Sequence, residues 1–534
     1  MKKRLLAAFL TAGLIVGSLT GCGGSNNEPA KSEPAPATSE SAAPAASESA
    51  APAQSDTPAA PEASGKDTVK MAVYSDFTIF DPMNSGMTLD AVVYRNIFDC
   101  LLNFYDGEYE KTLVDDYNIS DDGLSYTFNL KQGVLFHNGE ELKASDVVFS
   151  MNRAKESTSY GNYTKSIANV EATDEYTVVI TLSEPYVPFL QAVCAGVQIM
   201  NEKAVNDSGD NVGFEPIGTG PYKYVQFDPG QQVVLEANSE WHGGDVSIKN
   251  AVFTVLTDPS SALMAVEAGD VDLTYSIPPI EALRLDSDDK LKFDRNATLG
   301  SGYICYNLEK APFNDVNFRL ALAHAIDKQE IIDVALEGMG ESSSGVWDSR
   351  YEGFSGKYPP ADYDLDKAEE YLAQSSYAGE TIYFRVGYEN YKKIAVVVQE
   401  QLRKIGINVE VEQLEANAWV DDMKKGNYDM STIVMTYDLD IDYWANVFHS
   451  NAIGAYNFPR LNRPEVDEAF DTGKTILDKD ERIATYEVIE QVVNEEAVVI
   501  PVYFRVNPCV YSKELNITRA YPNGFAKCVD MSWN

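Results

Sequence analysis

The stretch Ile394-Ala395-Val396-Val397-Val398-Gln399-Glu400-Gln401-Leu402-Arg403-Lys404-Ile405-Gly406-Ile407-Asn408-Val409-Glu410-Val411 carries the fold class. Ile394, Val397, Val398, Leu402 and Ile405 recur at helical spacing. Gly406 stands where a helix C-terminus takes a left-handed residue, and Ile407, Val409 and Val411 then alternate as in a strand. Helix, glycine, strand is a connection of an α/β layer fold. The chain keeps interleaving the two patterns on either side. Val69–Tyr74, Leu124–Leu130 and Tyr176–Leu182 alternate as half-buried strands do. Asp315 suits the N-cap of a helix running through Arg319, Leu322 and Ile326, and Asn462 with Pro464 marks another start before Val466, Phe470 and Ile476. No internal repeat of fixed period and no long charge block interrupts this pattern.

The chain has 534 residues, enough for about three units at roughly 150 residues each. Hydrophobic residues at 44% and aromatics at 11% suffice for large cores, which excludes global disorder. The formal net charge is −40, spread along the body. That excess favours solubility and argues strongly against a protein that works on nucleic acid, because phosphates are bound by Lys and Arg, which displace their counterions into solution.

The first residues read as an address. Lys2, Lys3 and Arg4 precede an apolar run from Leu5 to Leu19, too short for a spanning helix, and Leu19-Thr20-Gly21-Cys22 follows. This ending resembles a bacterial lipobox, so residues 1–21 are expected to be a lipoprotein signal peptide and Cys22 the lipidated mature N-terminus. Acyl chains hold such a protein at the membrane through about 0.8 kcal/mol per buried CH₂. Residues 22–66 consist almost entirely of Ala, Pro, Ser, Glu, Gly and Thr, which cannot form a core and read as a disordered leash.

Five further cysteines, Cys100, Cys194, Cys305, Cys509 and Cys528, contain no Cys-x-x-Cys pair. Buried free thiols are expected, with a Cys509–Cys528 bridge as the alternative. The histidines His137, His242, His324 and His449 form no metal array, and no G-x-S-x-G, Walker A or dinucleotide loop is present. The pattern therefore points to no catalytic residue, no cofactor and no metal, and each histidine is expected to be structural or at the surface.

Six segments in order resemble the solute-binding lipoproteins of ABC importers, in the oligopeptide/dipeptide/nickel-binding class known as extracellular solute-binding protein family 5. The first is Asp122-Gly123-Leu124-Ser125-Tyr126-Thr127-Phe128-Asn129-Leu130 with Phe136-His137-Asn138-Gly139 and Lys143 to Ser150. Pro216-Ile217-Gly218-Thr219-Gly220-Pro221-Tyr222 and Ala268-Gly269-Asp270-Val271-Asp272-Leu273 follow. Pro312-Phe313-Asn314-Asp315 with Arg319 and Ala325-Ile326-Asp327, then Tyr363-Asp364 with Asp366-Lys367-Ala368, and Ile500-Pro501-Val502-Tyr503 complete the order. Most of these are expected to be scaffold: Gly218 and Gly220 permit tight turns, and Phe128 and Phe149 are core.

The resemblance implies an α/β, two-lobed periplasmic-binding-protein-like fold with a hinge and an extra domain inserted in the first lobe. Lobe I would use 67–97, 214–303 and 506–534, the inserted domain 98–213, and lobe II 304–505. The implied function is non-enzymatic capture of peptides and delivery to ABC permease subunits in the membrane, by a lipid-anchored monomer on the extracytoplasmic face.

The strand pattern from Met430 ends in Tyr437-Asp438-Leu439-Asp440-Ile441-Asp442-Tyr443-Trp444, and ligands in open α/β sheets bind beyond strand C-termini. In peptide-binding relatives an Asp just after this strand pairs with the peptide's α-ammonium. Asp438 fits that role best, beside Tyr437, with Asp440 and Asp442 as alternatives. A Trp often found three residues earlier is Met435 here, so Trp444 or Trp419 is the substitute aromatic wall. Arg350 is the candidate for a ligand carboxylate. Phe80 lies in Phe77–Asp81, which resembles a cleft-edge segment whose backbone pairs with an extended peptide. Alternatives within the architecture are a nickel chelate, with His449 as a ligand, and an oligosaccharide stacked on Trp347, Trp419 or Trp444. An exported hydrolase would need a nucleophile–base pair that the sequence does not show.

Overall fold

The computed structural model describes residues 67–105, 108–157, 159–161, 163–436, 440–521 and 523–534. The signal peptide, Cys22, the leash, Tyr437 and Asp438 lie outside the described residues.

The helix–glycine–strand unit forms as its pattern dictates. The helix spans Glu389–Lys404 and buries Ile394, Ala395, Val398 and Leu402. Gly406, at φ +83°, turns the chain out of it. Its N–H donates to the Arg403 carbonyl (3.1 Å) and that of Ile407 to the Leu402 carbonyl (3.1 Å), the paired bonds of a Schellman cap. The strand Val409–Gln413 then lies parallel to Ile382–Val386. Elsewhere a cap moves by one residue. The helix Pro464–Gly473 is capped by Arg463 rather than Asn462, because proline occupies its first turn, and it stops short of Ile476.

Among the described residues ten strands run side by side in one sheet, in the order Val409–Gln413, Ile382–Val386, Met430–Thr436, Leu291–Tyr306, Val499–Ser512, Leu273–Thr274, Thr68–Val73, Asn250–Val255, Gln232–Ala237 and Tyr222–Asp228. The short strand Gly340–Ser342 also pairs with Val499–Ser512. Two separate sets of cores divide this sheet into two lobes. One set gathers Val69 to Tyr275 with Cys509 to Met531. The other gathers Leu299 to Val499 and Ile304 to Tyr503 around the strands at the opposite end. Of the described strands of this sheet, Leu291–Tyr306 and Val499–Ser512 run from the second set into the first lobe, where Leu291 and Val510 join a smaller cluster with Ala72 and Leu263, and they lie antiparallel to each other. Their register shifts between Ala297 and Ser301, so the ladder is interrupted where the lobes meet.

A four-stranded antiparallel sheet (Val114–Ile119, Ser125–Leu130, Thr177–Leu182 and Ile167–Ala172) and the helix Ala144–Glu156 form the extra domain of the first lobe. It shares that lobe's core through Tyr126, Phe128 and Val147, while Phe149 packs at its edge. Tyr443 of the second lobe enters this core, and Phe104 from the hairpin Leu102–Lys111 enters the second lobe's core. The extra domain therefore touches both lobes.

Gly218 and Gly220 serve close approach rather than a turn, since neither has positive φ. A Cβ on Gly218 would fall 2.1 Å from the Ile97 carbonyl oxygen. Gly220 instead donates its N–H to that carbonyl at 2.8 Å. His137 locks the same segment: Nδ1 accepts from the Gly218 N–H (3.3 Å) and Nε2–H donates to the Gly220 carbonyl (3.0 Å). Both bonds need one neutral tautomer, and burial lowers the imidazole to about 4.

Candidate ligand-binding site

A cavity of about 580 Å³ opens where the two lobes meet. One wall comes from the strands that link or flank the lobes, through Thr298, Leu299, Thr436 and Arg505. The opposite wall is the segment that follows the helix Thr88–Ile97, including Phe98, Asp99 and Cys100. A single π-helical turn, Leu190–Cys194, adds Gln191 and Ala192, and the C-terminal segment adds Tyr521 and Lys527. Such wide turns are frequent at functional sites.

The cavity wall at 298–299 is held from behind. Where the ladder between the two long strands lapses, the Arg350 Nη1 donates to the Thr298 carbonyl (3.2 Å) and the Tyr351 hydroxyl to the Leu299 carbonyl (3.1 Å). Carbonyls that lose strand partners thus regain them from side chains. Arg350 is itself fixed by Asp348 through contacts of 2.7–3.0 Å and lies 4.7 Å above the Phe504 ring. The arginine singled out for a ligand carboxylate is therefore engaged as a brace behind the wall.

The other candidates separate from the cavity. The Phe80 ring is 0% exposed and packs against Phe77 (5.8 Å) and Phe227 (5.4 Å), so it is a core residue. Its neighbours cannot offer an open strand edge: the N–H groups of Thr78 and Ile79 donate to Asp90, and that of Phe80 to the Gly213 carbonyl. Trp444 stacks on Phe448 at 6.0 Å beside Trp347, inside the second lobe. Trp419 is buried nearby, its indole N–H donating to Ser431 (3.1 Å). The three tryptophans on which sugar stacking would depend are thus interior. His449 sits between Asp467 (3.4 Å) and Asp471 (3.5 Å), and it does not line the cavity. All five described cysteines are free thiols, Cys509 and Cys528 included.

Asp440 and Asp442 belong to a buried polar cluster. Asp440 is 0% exposed; its Oδ1 accepts from Arg482 Nη2 (2.7 Å) and caps the following turn at the Asp442 N–H (2.8 Å). Glu352 stands 3.7 Å from Arg482 and accepts from the Tyr109 hydroxyl (3.1 Å), reaching into the extra domain. Burial, reinforced by Asp440, pushes the Asp442 carboxyl up to about 7 despite Arg482, Lys474 and Tyr186. Three acids around one arginine make this a structural tie between extra domain and second lobe, and neither aspartate lines the cavity.

The charged groups that do face the cavity among the described residues are Arg95, Arg505, Lys527 and Asp99. Asp99 is engaged by His242 Nε2 (2.9 Å) and the Thr219 hydroxyl (3.2 Å). Burial alone would raise it, but His242, Lys527 and Thr219 together hold it below the usual carboxylate range. Arg95 and Lys527 both act on the Cys100 thiol, yet burial outweighs them and pushes it up to about 12. Lys527 Nζ lies 4.9 Å over the Tyr521 ring. These cations were absent from the sequence candidates. Their only local signal is a lone base inside an apolar run, as in Val93-Tyr94-Arg95, Tyr503-Phe504-Arg505-Val506 and Phe525-Ala526-Lys527.

Two α/β lobes linked by a pair of long strands, with a small charged cavity where they meet, make a two-lobed periplasmic-binding-protein-like fold. The particular family is equally plain: the chain belongs to the bacterial extracellular solute-binding proteins, family 5, whose middle-region model matches residues 108–454. It is 31% identical over 367 residues to the glutathione-binding protein GsiB of Pectobacterium atrosepticum, covering 67% of this chain and 71% of that one. It is 27% identical over 467 residues to di/tripeptide-binding protein 1 of Pseudomonas aeruginosa, covering 79% and 86%. The structure matches HbpA2 from Haemophilus parasuis with a TM-score of 0.81 at 23% identity, over 88% of this chain and 100% of that one. The family is extracytoplasmic, and the chain is a binding protein of ABC transport, not an enzyme. Among the described residues no helix is long and apolar enough to cross a membrane.

Proposed function

We propose that this chain is the substrate-binding lipoprotein of an ABC importer, tethered through Cys22, which captures short peptides between its lobes and passes them unaltered to the permease. The observation that carries the ligand class is the cavity itself. At about 580 Å³ it falls within the roughly 300–1,000 Å³ of small-molecule sites. Its lining offers both hydrogen-bonding and charged groups, as a peptide with two charged ends requires. The ligands named for its relatives, glutathione and di- or tripeptides, agree with that size. Asp438 follows two residues after the cavity residue Thr436, and we assign it the peptide's α-ammonium, a charged hydrogen bond contributing about 1.5–3 kcal/mol.

Mass spectrometry of small molecules released by denaturing the purified protein tests the ligand class directly. Thermal melting against di- to pentapeptides supplies the affinity. A peptide present at about 100 times its Kd adds about 2.7 kcal/mol to stability, and N-acetylation of that peptide is expected to remove the gain. A responding peptide that works equally well when acetylated refutes the role given to Asp438. For the anchor, Cys22→Ser is expected to move the protein from the membrane fraction to the soluble exported fraction without changing peptide affinity. Membrane retention of the serine variant refutes lipidation at Cys22.

A further inference from the structure

We infer that the peptide held in the cavity carries an acidic side chain besides its terminal carboxylate, and that Arg505 and Lys527, with Arg95 beside them, receive these negative groups. The inference rests on the peptide reading above and adds the ligand's charge. Its starting point is a contrast. The chain holds 82 acidic and 42 basic residues, so a random sample of its charged groups is about two-thirds acidic. Three of the four charged residues lining the cavity among those described are basic. The one acid, Asp99, is already engaged by His242 and Thr219.

Two of these cations lack a close ion pair, although Lys527 feels Asp99, Glu110 and Asp530 at longer range. Among the described residues neither Arg505 nor Lys527 forms an ion pair, whereas nearby Arg519 is closed off by Glu110 at 2.9 Å. Arg505 is positioned by the fold. Its aliphatic stem crosses Gly300, where a Cβ would come within 2.9 Å of Cδ. Its charge reaches Tyr74, another cavity residue, partly offsetting the burial that raises that hydroxyl. Lys527 comes from the C-terminal segment and approaches Asp99 and Cys100. Arg95, Arg505 and Lys527 line the same cavity, and a ligand carboxylate that meets one of them there gains a charged hydrogen bond.

A second feature points to the rest of the ligand. Gln191, 8% exposed on the π-helical turn, lines the cavity with its buried Oε1 lacking a hydrogen-bond partner among the described residues. A buried acceptor left unpaired is costly, and a small movement that turns it into the cavity would let a ligand N–H satisfy it. Cations for carboxylates and an acceptor for an amide or ammonium N–H together describe an acidic peptide rather than a bare organic acid.

The test is isothermal titration of the intact mature chain with Ala-Glu-Ala, Ala-Gln-Ala and Ala-Lys-Ala, with succinate and citrate as non-peptide arms. The glutamate peptide is expected to bind about 10- to 100-fold more tightly than its isosteric glutamine analogue, with the lysine peptide weakest. Arg505→Gln combined with Lys527→Met is expected to erase that ranking; melting without peptide monitors whether the variant folds. If the variant fails to fold, the wild-type ranking alone decides. Equal or tighter binding of the glutamine peptide overturns the inference and leaves the peptide reading intact. A preference that survives in the folded double variant overturns the assignment to these residues. Binding of succinate or citrate with silence toward all peptides keeps the anion site and overturns the peptide reading. Silence toward every probe, in protein shown by mass spectrometry to carry no ligand, overturns both.

Discussion

Arg482→Ala is expected to lower the unfolding free energy by about 3–5 kcal/mol, the range for removing one partner of a buried ion pair. The Arg482 side chain is only 3% exposed, and it serves several groups at once. Its Nη2 reaches Asp440 (2.7 Å) and the Tyr486 hydroxyl (3.1 Å), and its Nε donates to the Gly473 carbonyl (2.9 Å). Without it Asp440 remains fully buried as an uncompensated charge, next to Asp442 and Glu352. Urea unfolding followed by tryptophan fluorescence measures the loss. The double variant Arg482→Met with Asp440→Asn is expected to lose less than Arg482→Ala, because asparagine removes the stranded charge yet keeps an acceptor for the Asp442 N–H. A double variant at least as unstable as the single one would show that Arg482 acts through packing instead.

The second large effect is on pH dependence. Asp442 titrates near 7 in the folded protein against an ordinary 3.8, so between these pH values the native chain binds a proton that the unfolded chain has released. Its contribution therefore makes stability fall as pH rises from about 4 to about 7, after which it is flat. The full span is about 4 kcal/mol at one pKa step per 1.36 kcal/mol. Glu352, also raised by burial and by Asp440, changes in the same sense. Asp442→Asn is expected to flatten this decline and to be stabilising relative to wild type at pH 8 but not at pH 4. Unfolding curves at pH 4, 6 and 8 measure it. A variant whose pH profile parallels that of the wild type would mean that Asp442 is already ionised in the native state.

This cluster shows where local reading of a chain stops. Asp440 and Asp442 follow the expected strand, in the segment where a ligand acid belongs, and the sequence carries no sign that one is spent on Arg482 from a distant helix. Trp419 and Trp444 were attractive for the same reason, yet whether an aromatic ring faces a cavity or fills a core depends on what packs over it. Arg350 was chosen for its charge, and the charge is consumed by Asp348 two residues earlier and by a carbonyl on another strand. Phe80 shares its segment with cleft-edge residues of the family, but here Asp90 and Gly213 take the backbone donors that an added strand would use.

The α/β class, the helix ending at Gly406, the strand Met430–Thr436 and membership in the solute-binding family were all legible in the amino-acid order. Periodicity and caps act between near neighbours, and the family motifs recur in order, so they survive in a linear text, whereas the close approach of Gly218 and Gly220 to Ile97 does not. The cavity and its charge belong to the tertiary structure alone. Arg95, Arg505 and Lys527 come from opposite ends of the chain, and each looks locally like an ordinary base in an apolar run. Only the fold gathers the helix Thr88–Ile97, the strand Val499–Ser512 and the C-terminal segment around one cavity, and electrostatic meaning arises from distance in space, which the order of residues does not record.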